Sequence, residues 1–169
     1  METNILFYKI QKDTVSTEDY VNWSHNLLEK DVSSPSLNIL SSFSFDDNIF
    51  EVELYFKRAL DELAIKEPTF EICARAYIVF LANRIIKAND HKEIFNLANM
   101  IFQVVAIELD NSDGLYAWFE ISELIDRLDY DDKSFVLNEE DVISRIKNEA
   151  EILIRLNINI PYGANGGKT

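Results

Sequence analysis

Glycine and proline are nearly missing: four and three residues in a chain of 169. A β-sandwich or barrel needs turn residues every 8–12 positions or so, and this supply does not reach that spacing. There is one cysteine, Cys73, which excludes an intrachain disulfide and suits a reducing compartment. The opening METNILFYKIQKD lacks the basic start, long apolar centre and small-residue cleavage site of a secretory leader. The longest unbroken apolar run, Ala76 to Ala82, is far short of the ~18 residues a membrane helix requires. Bases are scarce as well: sixteen Lys and Arg against thirty Asp and Glu, for a net charge of −14. Such a surface repels phosphate backbones, so nucleic acid is not an expected partner. Nor is a membrane, and the expected location is cytoplasmic.

The residues that are plentiful recur at helical spacing. "VSTED" offers Ser16 as a cap with Asp19 three residues on, and opens a helix over about 17–30 with Tyr20, Trp23, Leu27 and Leu28 inward. Ser34 and Pro35 start a short helix to about residue 43. Asp46 or Asp47 caps a third, with Ile49, Val52, Phe56, Ala59, Leu60 and Leu63 on one face. Pro68 opens a fourth, apolar nearly all round and therefore expected to be central. Asp90 and Glu93 form a second capping box before a helix with two apolar faces, which ends near Leu109. Helices over about 114–129 and 139–156 follow, the latter capped by Asn138. Residues 1–15 read equally as a short strand or a helical turn.

The expected fold is all-α, with six to seven helices. The architecture is an irregular bundle or a short HEAT-like helical-pair stack. The stack is suggested by aromatic–polar–aliphatic triplets at Phe50, Phe70, Phe95 and Phe119, alternate members lying 45 and 49 residues apart. One domain spans 1–160, with a flexible tail over 161–169.

Motifs that would carry chemistry fail on spacing. Gly-Gly-Lys-Thr at 166–169 resembles the end of a phosphate-binding loop. Three residues rather than four separate Gly163 from Gly167, and no following helix completes the site. In the acidic loop, Asp129, Asp131 and Glu140 fit the first, third and twelfth positions of a calcium loop. Lys133 stands where an oxygen ligand belongs and Ser134 where glycine makes the turn. His25 and His91 are far apart, and no His/Cys cluster predicts a metal centre. No cofactor and no catalytic residue is expected. Arg75, Asn83 and Arg84 are the exception, three polar groups in the most apolar helix. They leave open an enzyme with a polar pocket, although pairing at the core edge explains them as well.

Charge is distributed unevenly. Between residues 105 and 141 stand twelve acids and two bases, −10 in 37 residues, while the remaining 132 residues carry only −4. Tyr116, Trp118, Phe119, Tyr130 and Phe135 are interleaved with these acids. Acids that steer and aromatics that anchor are what a protein gripping a basic partner presents. The expected partner-binding residues are Glu108, Asp110, Asp113, Tyr116, Glu120, Glu123, Asp126, Asp129, Tyr130, Asp131 and Asp132. A solvated face with its aromatics turned inward remains the competing reading.

The stretch from Trp23 and Leu27-Leu28 through Ser34-Pro35-Ser36-Leu37-Asn38-Ile39-Leu40 to Asn48-Ile49-Phe50-Glu51-Val52-Glu53-Leu54-Tyr55-Phe56 resembles small bacterial all-helical proteins. In general character the chain is similar to the acidic immunity proteins of bacterial toxin systems. That resemblance implies a non-enzymatic protein that neutralises a basic partner, such as a cationic toxin, and it transfers no site residues. A structural or adaptor domain is a further alternative.

Overall fold

The computed structural model describes residues 1–110, 115–130 and 138–158. Among the described residues the regular structure is all helical, with eight α-helices, one π-helical turn and no strand. Two compact units divide the chain, Met1–Tyr77 and Ile78–Thr169.

The first unit holds α1 (Thr3–Gln11), α2 (Thr17–Leu28), α3 (Pro35–Leu40), α4 (Ile49–Glu62) and the start of α5 (Phe70–Lys87). The opening segment is thus a helix, which raises the count from the expected six or seven to eight. Ile5, Leu6, Phe7 and Tyr8 are all buried, and only a helix satisfies their backbone groups internally where no strand lies alongside. Phe56 of α4 is the hub. The rings of Phe7, Tyr20 and Trp23 lie 5.9, 4.9 and 5.0 Å from it, so residues of α1 and α2 bury apolar area against one side chain of α4. Trp23 Nε1 donates to Thr3 Oγ1 at 3.0 Å, and Tyr20 donates to Glu53 Oε1 at 3.3 Å. Burial and the Glu53 charge both push the Tyr20 hydroxyl well above its ordinary pKa. The capping box of α2 forms as expected. Asp19 both closes it on Ser16 and receives Lys9 of α1 at 2.6 Å. Glu62 reaches back to the start of α3, accepting from Ser36 N at 2.9 Å and Ser36 Oγ at 2.7 Å, and these bonds hold its carboxyl below the usual range.

The second unit contains the rest of α5, α6 (His91–Gln103), a π-helical turn over Val104–Glu108, α7 (Ala117–Tyr130) and α8 (Glu139–Ile158). Its buried residues are those the periodicity marks, among them Ile94, Leu97 and Ile101 on α6 and Ile143, Ile146, Ala150 and Leu153 on α8. Asn138 caps α8, accepting from Glu140 N at 3.2 Å. Three local expectations need correction. Asn48, not Asp46 or Asp47, caps α4, and Asp47 instead accepts from Ser44 N. Only half of the second capping box forms: Asp90 accepts from Glu93 N at 2.8 Å, while the Glu93 carboxylate is drawn 2.8 Å from Arg84. A charged donor outcompetes the backbone for that acid. Helix α5 is not buried all round, since Ile72, Phe80 and Ile86 are exposed.

Scarce glycine shows at the helix ends. Asp13, Asp31, Ala64 and Asp110 take the left-handed conformation that glycine usually supplies, with φ of 54, 61, 53 and 46°. After α4, Ile65 N donates to Leu60 O at 2.9 Å and Ala64 N to Asp61 O at 3.2 Å, the paired bonds of a Schellman turn. Among the described residues no helix is long and apolar enough to cross a membrane.

Candidate functional site

Helix α7 is two-sided by position. At about 100° per residue, Trp118, Ile121 and Ile125 fall together and are buried. Tyr116, Glu120, Glu123 and Arg127 recur at steps of four and three on the opposite side, with Asp126 beside them. All five are exposed, and Tyr116 is 71 % exposed. That phenol is supported from beneath. Tyr116 stacks on Phe119 with centroids 5.9 Å apart and planes 22° apart, and Phe119 meets Phe102 of α6 edge-on at 5.0 Å. The three rings form a row from the α6–α7 packing out to solvent. The result is an exposed phenol backed by two rings, next to surface carboxylates.

The fold alters the charge count. Arg145 of α8 donates to Glu120, and His91 of α6 lies between two acids of α8, its Nδ1 2.8 Å from Glu139 and its Nε2 3.5 Å from Glu140. Three of the twelve acids therefore face bases from elsewhere in the chain. Glu149, one turn beyond Arg145, has its carboxyl pushed up by burial, with Arg145 opposing and Glu120 reinforcing the shift.

The expected binding residues divide accordingly. Glu120, Glu123 and Asp126 lie on the exposed side of α7, and Tyr116 is exposed in the turn just before it. Glu108 is half-buried in the π-helical turn, and Asp110 is exposed just after it. Asp129 and Tyr130 lie in the last turn of α7, where the backbone alone is described. Asp113, Asp131 and Asp132 lie outside the described residues, as do Phe135 and the Gly-Gly-Lys-Thr tail. Of the interleaved aromatics, Trp118 is core, fully buried.

The polar residues of α5 each have a local engagement. Arg75 Nε donates to Glu71 at 3.0 Å, Asn83 to Val79 O at 2.9 Å, and Arg84 to Glu93 at 2.8 Å. Asn83 and Arg84 are exposed rather than aimed into a cavity. Cys73 is fully buried, and burial, helped by the Glu67 charge, pushes its thiol up to about 11, which leaves little thiolate for nucleophilic chemistry. Arg145 and His91 were invisible as site residues because a local charge count cannot see bases that arrive from other helices. No protein-family model, curated protein or solved structure matches the chain, so the site is read from its own geometry.

Proposed function

We propose that the chain is a non-enzymatic acidic binding protein that neutralises a basic protein partner in the cytoplasm, in the manner of a bacterial toxin immunity protein. The observation that carries this reading is the α7 face. Tyr116, in the turn before α7, stands out on Phe119 and Phe102, with Glu123 and Asp126 exposed on the helix that follows. The carboxylates steer a cationic surface in, the tyrosine anchors it, and the bound chain then covers the partner's working groove. In the same reading the helices form an irregular bundle rather than a HEAT-like stack. Phe50 is 78 % exposed, whereas Phe95 and Phe119, its counterparts in the triplet rhythm, are half-buried.

The test uses the protein encoded by the adjacent gene as partner. Glu123→Lys with Asp126→Lys should slow association about tenfold or more at low salt, and the difference should shrink near 0.5 M salt, where charges are screened within ~4 Å or so. Glu120 is left intact because its loss would also break its pairing with Arg145. Equal association rates for variant and wild type at every salt concentration would reduce the acidic face to a solvated surface.

A further inference from the structure

A different face, on the first unit, carries large apolar side chains into solvent. On α4, Phe50 is 78 % exposed and Leu54 48 % exposed, and Phe45 in the preceding loop is 53 % exposed. Val52, Phe56 and Ala59 of the same helix are buried, so Phe50 and Leu54 lie on its outward side, one turn apart. Core packing does not need them, and isolated exposed leucines are ordinary while a phenylalanine and leucine stacked along one outward stripe are less so.

The charges along this stripe have an order. Exposed Glu51 lies beside Phe50 toward the helix start, and exposed Lys57 and Arg58 lie beyond Leu54. Arg58 lies over the Tyr55 ring at 5.4 Å, a contact of its flat face that leaves the N–H edge able to serve an acid. When two copies of the stripe run antiparallel with Leu54 facing Leu54, the two-fold axis keeps each residue on its own lateral side of the stripe. Position 51 of each copy, on the side of position 58, then faces position 58 of the other, and position 50 faces position 57. Each copy meets acid with base, twice over by symmetry, and each Phe50 ring meets a lysine. An isologous pairing of this kind needs a surface complementary to itself, and acid before and base after an apolar centre is such a surface.

We propose that the outward face of α4 binds a second copy of this chain, α4 to antiparallel α4, with reciprocal Glu51–Arg58 pairs around Phe50 and Leu54. A contact built on one helix stripe is at the small end of specific interfaces. The net charge of −14 on each copy also opposes it. The dimer is therefore weak, with a dissociation constant on the order of 10–100 µM, within the range expected of small transient contacts. It concerns a surface separate from α7 and does not depend on the reading given there.

The experiment is sedimentation of the purified full chain over a range of about 5–500 µM at physiological salt, where repulsion is screened beyond ~8 Å. The wild type should shift from monomer to dimer. Glu51→Arg and Arg58→Glu should each weaken the dimer about tenfold, because two attractive pairs become repulsive. The double variant Glu51→Arg/Arg58→Glu should regain wild-type affinity, and an equimolar mixture of the two single variants should dimerise where neither does alone. Circular dichroism of each variant should match the wild type. A chain monomeric throughout the range overturns the proposal, as does a dimer indifferent to these changes. Weakening by the single variants with no restoration in the double variant or the mixture also overturns it, and points to an unlike occupant of the stripe.

Discussion

Arg145 of α8 donates to the carboxylate of Glu120 on α7, and both side chains are about half exposed. The two residues are 25 apart in sequence. The pairing joins α7 and α8 and gives one acid of the α7 face a partner within the fold.

Replacing Glu120 and Glu123 by lysine should therefore have unequal effects on stability. Glu120→Lys sets a cation against Arg145, whereas Glu123→Lys changes an exposed position on the same face. Urea denaturation should show Glu120→Lys less stable by about 1 kcal/mol, and Glu123→Lys within about 0.5 kcal/mol of wild type. Equal losses would mean that the Arg145 pairing does not persist in solution.

The helix ends give a prediction of opposite sign. Ala64 is left-handed at φ 53° inside a Schellman turn, a conformation in which a Cβ is a steric burden and glycine is at ease. Ala64→Gly should stabilise the protein by about 0.5–1 kcal/mol, the relief of strain exceeding the added freedom of the unfolded chain. A destabilised variant in thermal or urea unfolding would show that the turn is not strained.

Legibility in the sequence followed the range of the interaction. Helices set by their own spacing and caps were readable: Ser16 with Asp19, Ser34 with Pro35, and Asn138 all stand where the pattern puts them. The start of the chain was not, because four consecutive apolar residues suit a strand or a buried helix, and only their burial on α1 decides. The α7 face was half legible. Its acids and Tyr116 follow from helical phase, but Arg145 and His91 come from distant sequence, and no local count includes them. The triplet rhythm groups Phe50 with Phe95 and Phe119, whereas its position on α4 turns it outward.

The hub of the first unit should be costly to remove. Phe56 is 4 % exposed and touches rings from α1 and α2. Phe56→Ala should destabilise by about 3–5 kcal/mol through lost burial and the cavity left behind, while Phe50→Ala on the same helix should cost less than about 0.5 kcal/mol. Similar losses at the two positions in chemical denaturation would contradict the assignment of inward and outward faces of α4.

Glu149 supplies a pH signature. Its carboxyl is raised above the ordinary glutamate value, chiefly by burial, with Glu120 reinforcing the shift and Arg145 only partly offsetting it. The sign follows from linkage. A carboxyl that protonates more readily when folded holds more proton in the native state than in the unfolded one between the two pKa values. Its charge therefore destabilises the fold at pH above the raised value, and that penalty is relieved as pH falls through it toward the unfolded value. Glu149→Gln removes the charge while keeping the shape and an amide able to hydrogen-bond. The variant should melt higher than the wild type at pH 7, and the gain should fade on acidification and vanish below about pH 4, where the wild-type carboxyl is protonated in both states. The effect runs counter to that of Glu62, whose lowered carboxyl stabilises above the ordinary value and loses that contribution as pH falls. A gain for Glu149→Gln that is constant from pH 7 to pH 4 would trace to packing instead of charge, and a loss at pH 7 would mean that the Arg145 attraction outweighs the burial of Glu149.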